Sequence, residues 1–158
     1  MNHHSEIEMK NGGTAQCSPQ DYPALSAITW TRVTIHKRQY AQAMVDGRTT
    51  YMHQLVLPGA REVDHINRDG LDNRRENLRE CTHGQNIAHA EFPPPKSGYR
   101  GVIRHTKGNR KRPYQARIKV NGRTISLGYF ATAEEAAEAY DQGSRKFFVE
   151  FGFRNLPE

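Results

Sequence analysis

Apolar and polar positions alternate with a period of two through much of this chain. Between Ile28 and about Val56, "ITWTRVTIHK" and "QYAQAMVDGRTTYMHQLV" read as short strands, with Asp46-Gly47 supplying a hairpin turn. "REVDHI" predicts another strand, "LDNRRENLREC" a loop followed by a short extended piece, and "HGQNIAHA" a short helix. Further on, "YRGVIRHT", "PYQARIKV" and "TISLGYF" predict three strands, the last two joined across Asn121-Gly122. The period changes at "TAEEAAEAYDQGSRKFF", where Thr132 and Glu135 stand at capping-box spacing ahead of an alanine-rich helix. Strands and helices in separate runs make the fold class α+β.

In the middle strand of the C-terminal set, Tyr114, Ala116, Ile118 and Val120 share one face, and Gln115, Arg117 and Lys119 share the other. The helix can cover the apolar face with Ala133, Ala136, Ala137 and Tyr140. That leaves the basic face open.

A chain of 158 residues with 35% hydrophobic content suits two small modules better than one large core. The joint is expected in "EFPPPKSG", because consecutive prolines stop a helix and stiffen the chain. The expected organisation is a disordered tail over residues 1–19, a module over 20–90, a proline-rich linker over 91–97 and a second module over 98–158. No apolar run approaches the ~20 residues of a membrane span, so a soluble protein of the cytoplasm is expected, without a membrane partner. Cys17 and Cys81 are too few and too distant to signal a disulfide framework or a zinc knuckle, and Cys81 reads as a small core residue.

The net charge of +6 is unevenly placed. Residues 1–96 hold 11 basic and 11 acidic side chains, whereas residues 97–158 hold 12 and 6. Nine cations from Arg100 to Arg123 follow one another without an intervening acid. Such a run suits a phosphate backbone, although a charge run alone is more often a solvated face.

The polar stretch "EVDHINRDGLDNRRENLRECTHGQNIAHAE" carries the candidate chemistry. Phosphodiester hydrolysis needs an activated water, neutralised phosphate charge and help for the leaving alkoxide, which one histidine and one hard divalent cation can supply. Asp64 is a hard oxygen ligand for Mg²⁺, His65 titrates in the range of a general base, and Asn86 offers a carboxamide oxygen as a second ligand. Asp64 and His65 are neighbours, so they converge only if the strand ends or bends there. Asp72 and Asn73 read as loop formers.

Asp64-His65-Ile66, Asn77-Leu78 and Asn86 together resemble the HNH nucleases, most closely the phage and homing endonucleases whose last His is replaced by Asn. The resemblance covers about residues 20–90 and implies a ββα-metal (His-Me finger) fold. It implies that His65 is the general base and that Asp64 and Asn86 bind a divalent metal, Mg²⁺ before Mn²⁺. It further implies that Asn77 holds the loop through backbone hydrogen bonds and that His53, in "YMHQLV", touches the phosphate or leaving group. The paired cysteines of zinc-stabilised relatives are missing, so no structural zinc is expected.

"SGYRGVIRHT", "ARIKVNG", "LGYF" and "TAEEAAEAYD" resemble the AP-two/ERF domain of plant transcription factors, over about residues 97–157. That family lays a three-stranded antiparallel sheet, packed on one helix, in the DNA major groove. The resemblance makes Arg100, Arg117 and Lys119 the first candidates for DNA contact, with Arg104 and His105 next. Ile103 and Ser126 depart from the plant pattern, so the plant target sequence does not transfer. The expectation is a metal-dependent DNA endonuclease acting on double-stranded DNA, with no protein partner implied. The rivals are a non-catalytic DNA-binding regulator with a decayed nuclease core and an RNA-binding protein.

Overall fold

The computed structural model describes residues 4–90, 93 and 95–157, so Glu91, Phe92 and Pro94 of the expected linker lie outside the described residues. The fold is α+β, built of small sheets and short helices in two compact units, residues 1–82 and 83–158.

In the first unit, β1 (Ser5–Glu8) and β2 (Thr14–Cys17) form an antiparallel hairpin, and β2 pairs in parallel with β7 (Asp72–Asn73). The expected disordered tail is therefore ordered from His4 onward. Its short alternation is sufficient because Ile7, Met9, Ala15 and Cys17 all enter the core, around a wholly buried Trp30 whose indole N–H donates to the Leu25 carbonyl at 2.8 Å. Leu25 belongs to α1 (Tyr22–Ser26).

The meander β3 (Thr31–Ile35), β4 (Arg38–Val45) and β5 (Arg48–Tyr51) follows, its second turn lying at Asp46-Gly47 with positive φ at both residues. "MHQLV", expected as strand, is instead the helix α2 (Met52–Val56). Gln54 Oε1 accepts the Tyr51 N–H at 2.9 Å, and Met52 and Val56 bury one side at i, i+4 spacing. Then β6 (Glu62–His65) pairs with β8 (Leu78–Cys81), enclosing the polar loop and a 3₁₀ turn at Arg75–Asn77.

The second unit begins with α3 (His83–His89), ten residues before the first of the prolines expected to mark the joint. The helix is tied forward by Arg100, whose guanidinium donates to the carbonyls of Ile87, Ala88 and Ala90 at 2.8–3.0 Å. Strands β9 (Val102–Arg104), β10 (Tyr114–Val120) and β11 (Arg123–Phe130) form an antiparallel sheet with β10 central. The helix α4 (Ala133–Phe148) starts at the Thr132–Glu135 capping box and buries Ala136, Ala137 and Tyr140. Gly101 sits at φ +75°, and a Cβ there would meet the Tyr140 ring at 2.1 Å, so only glycine lets sheet and helix approach this closely.

Candidate active site and nucleic-acid interface

The loop after β6 is shaped by its own side chains. Asn77, buried in the 3₁₀ turn, donates from Nδ2 to the Asp72 carbonyl at 2.7 Å and accepts the Asn67 N–H on Oδ1 at 2.9 Å. Asn67 and Asp69 accept amides two residues ahead, closing Asx turns. Asp72 takes the Arg74 guanidinium on both oxygens, at 2.8 and 2.7 Å, which holds its carboxyl below the usual range despite burial. The strand ends at His65, where the chain turns through Arg68 at φ +66°.

His65 is 6% exposed. Its Nε2 faces Asn73 Oδ1 at 3.3 Å, so that nitrogen carries the proton and Nδ1 keeps the lone pair. The His53 ring stands edge-on to it, 5.1 Å between centroids and 89° between planes. Tyr40 approaches His65 at 6.0 Å, and Tyr51 stacks on His53 at 5.6 Å. Burial lowers the His65 pKa from its ordinary 6.5, against the opposing pull of the Asn73 hydrogen bond and of Asp64, Asp69 and Asp72. Burial, then the neighbouring His65, pushes His53 down to about 4. Both rings are neutral at pH 7.

Asp64 is 3% exposed and lies directly across from Arg79 on β8, whose Nε donates to Asp64 Oδ2 at 2.8 Å. Asn86 stands half-buried on α3, in the second unit. Among the described residues, no group of three or more His, Cys, Asp or Glu side chains converges as a metal site. Burial pushes the Cys81 thiol up to about 11, which keeps it protonated. The structure thus brings His53, His65 and Asn73 together and pairs Asp64 with Arg79. Asn73 is the residue that sequence reading assigned to turn-making. Its 0% exposure and its contact with His65 follow from β7 pairing with β2, a partner 56 residues away.

In the second unit the basic candidates separate. Arg117 and Lys119 are exposed on the outer face of β10, beside Gln115. His105 joins them: its Nε2 lies 3.0 Å from Gln115 Oε1, and its ring lies 5.7 Å from Tyr129. Gln115 in turn donates to Ser126 Oγ at 3.1 Å. Arg104 is opposite Tyr114, hence on the other side of the sheet, with its guanidinium 5.9 Å from that ring. Arg100 spends its donors on α3 carbonyls and lies over the Phe153 ring at 5.2 Å. Its place in the fold is that of a helix-end clamp. Gln115, Ser126 and Tyr129 were missed; the alternation that exposed Arg117 could have found Gln115.

No helix is long and apolar enough to cross a membrane among the described residues. A sequence-family model described as HNH endonuclease matches residues 56–88. Over 99 residues, 63% of this chain, it is 30% identical to the uncharacterized HNH endonuclease L560 of Acanthamoeba polyphaga mimivirus, covering 49% of that protein. Over 79 residues, 46% of the chain, it is 42% identical to the AP2-like ethylene-responsive transcription factor CRL5 of Oryza sativa subsp. japonica, covering 12% of it. Over 58 residues, 35% of the chain, it is 55% identical to the AP2-like factor AIL7 of Arabidopsis thaliana, covering 11% of it. The chain therefore spans about half the length of the viral relative and about a tenth of the plant ones. With an HNH match around the His65 loop and AP2-like relatives beside it, the chain combines an HNH endonuclease module with an AP2/ERF module.

Proposed function

We infer that the chain hydrolyses phosphodiester bonds of double-stranded DNA, with the outer face of the β9–β10–β11 sheet selecting where. The observation that carries this reading is a buried, neutral His65 whose Nε2 is held by Asn73, leaving the Nδ1 lone pair to take a proton from water. Asn77 keeps the loop that presents His65 in place through its two backbone hydrogen bonds. His53, neutral and edge-on to His65, can donate a hydrogen bond to a phosphate oxygen or the leaving group without adding charge beside the base.

The donor chemistry fits a hard divalent cation: a buried carboxylate at Asp64 and a carboxamide at Asn86. Asp64 would hold it on the His65 side, and the cation would supply charge neutralisation on the phosphate. Arg79 already neutralises Asp64 and keeps its carboxylate oriented while no cation is bound.

Arg117 and Lys119 give the outer sheet face phosphate-binding charge, and the linked His105, Gln115 and Ser126 side chains give it hydrogen-bonding groups for a base edge. Supercoiled plasmid incubated with Mg²⁺, with Mn²⁺ and with EDTA tests the reading. Cation-dependent nicking supports it. Retained DNA binding without nicking in either metal would favour the DNA-binding regulator instead.

A further inference from the structure

Every acidic side chain of residues 97–158 lies at or after Glu134, in α4 or beyond it, whereas the outer face of β10 carries Arg117 and Lys119. A second copy of this chain is therefore repelled at the sheet face and admitted at the helix side. On that side α4 presents two adjacent rows at i, i+4, i+8 spacing. Ala139, Gly143 and Phe147 form the row beside β11, where a Cβ on Gly143 would stand 2.8 Å from Leu127 Cδ1. Glu138, Gln142 and Lys146 form the next row and are all exposed.

Between the apolar row and β11 runs an open groove of about 760 Å³, along which Ile125, Leu127, Phe130, Ala139 and Phe147 are only half-buried. Among the described residues β11 is an edge strand, eight residues long and paired with β10 alone. Arg117, directly across from Ser126, gives its N–H to the Gly101 carbonyl, so the backbone groups of Ser126 face away from β10 to the open edge. An apolar groove beside an open sheet edge is a surface that folded proteins cover.

Glu138 and Lys146 decide what covers it. They stand about 12 Å apart along the helix axis, too far to pair with each other. Neither makes an ion pair among the described residues. A second α4 laid alongside the first in the opposite direction brings each Glu138 to the other copy's Lys146, with Gln142 meeting Gln142 at the centre. A parallel α4 would instead set like charges together, and the polar outer sheet face of a second copy offers the groove no apolar complement.

We propose that this side of the second unit is the interface of a symmetric dimer, in which α4 of two copies pack antiparallel and cover the groove beside β11. The association needs neither metal nor DNA and does not rest on the nuclease reading.

Sedimentation velocity on the full chain without DNA, over rising protein concentration, tests this with wild type, Glu138→Lys, Lys146→Glu and the double exchange. Wild type should pass from monomer to dimer as concentration rises. Each single substitution places like charges at both symmetric contacts and should raise the dimer Kd about tenfold or more, while the double exchange should return it to within about threefold of wild type. Because the double exchange carries both substitutions, its recovery separates lost pairing from lost folding. A wild type that stays monomeric at every concentration, or that forms larger assemblies in place of a dimer, overturns the interface. So does a dimer that either single substitution leaves equally tight, or a double exchange no tighter than the single variants.

Discussion

Asn73 holds the imidazole of His65 by its Nε2, 3.3 Å from Oδ1, and does so from a strand only two residues long. That strand is fixed by its parallel pairing with β2, in the register Gln16 to Asp72 and Cys17 to Asn73. The N-terminal hairpin thereby reaches the candidate base through one intermediary side chain.

Replacing Asn73 should disturb the base without touching DNA. Asn73→Leu leaves the Nε2 proton buried without an acceptor and should lower nicking kcat at least tenfold. Asn73→Asp places a carboxylate against the ring, which favours the imidazolium and raises the His65 pKa. Its rate should then begin to fall at a higher pH than in the wild type. Coincident pH–rate profiles for wild type and Asn73→Asp would show that Asn73 does not govern His65.

Acidity should act in two separable ways. His65 must be neutral to accept a proton, and its pKa lies below 6.5, so kcat/KM should be level near pH 7 and fall only below about 6.5. His53 is pushed from 6.5 to about 4, so the unfolded chain binds its proton first. Stability is therefore fully present above pH 6.5 and lost as pH falls towards 4, by roughly 3 kcal/mol at most. Urea melts at pH 7 and 4.5 on wild type and His53→Gln check this: the variant should lose less stability on acidification.

Removing residues 1–18 should abolish nicking, because it removes the partner strand of Asp72 and Asn73 and exposes the Trp30 core. A truncated protein that melts cooperatively and nicks at the wild-type rate would show the hairpin to be dispensable.

Arg100 and the pair Arg117 and Lys119 should respond differently. Arg117→Ala and Lys119→Ala should each lower the salt slope of DNA affinity by about 0.9 and leave the melting temperature nearly unchanged. Arg100→Ala leaves the carbonyls of Ile87, Ala88 and Ala90 without this donor, so it should lower the melting temperature by several degrees and leave the slope unaltered. Equal slopes for Arg117→Ala and wild type would remove Arg117 from the interface.

What could be read from the sequence was local. Asp46-Gly47 and Asn121-Gly122 announce hairpins because the turn geometry is written in the residues that form it, and Thr132 with Glu135 announces α4 in the same way. The turn at His36-Lys37 carries no glycine and gave no such signal. The β1–β2 hairpin escaped because four apolar positions in a polar, glycine-bearing stretch look like a tail until their partner β7 is known. Arg100 looked like an interface residue by its position in the resemblance, and only the carbonyls at the end of α3 reveal its contacts. The strand–loop–strand frame that carries Asp64, His65 and Asn77 was legible from local pattern, while the contact of Asn73 with His65 was not, because it is set by the fold.

The most direct measurement compares plasmid nicking by wild type and His65→Ala in Mg²⁺, in Mn²⁺ and in EDTA, with duplex affinity recorded on the same preparations. We expect wild type to nick only with a divalent cation, and His65→Ala to lose at least ~100-fold in rate while its affinity stays within about twofold. Undiminished nicking by a folded His65→Ala protein would contradict the assignment of the base.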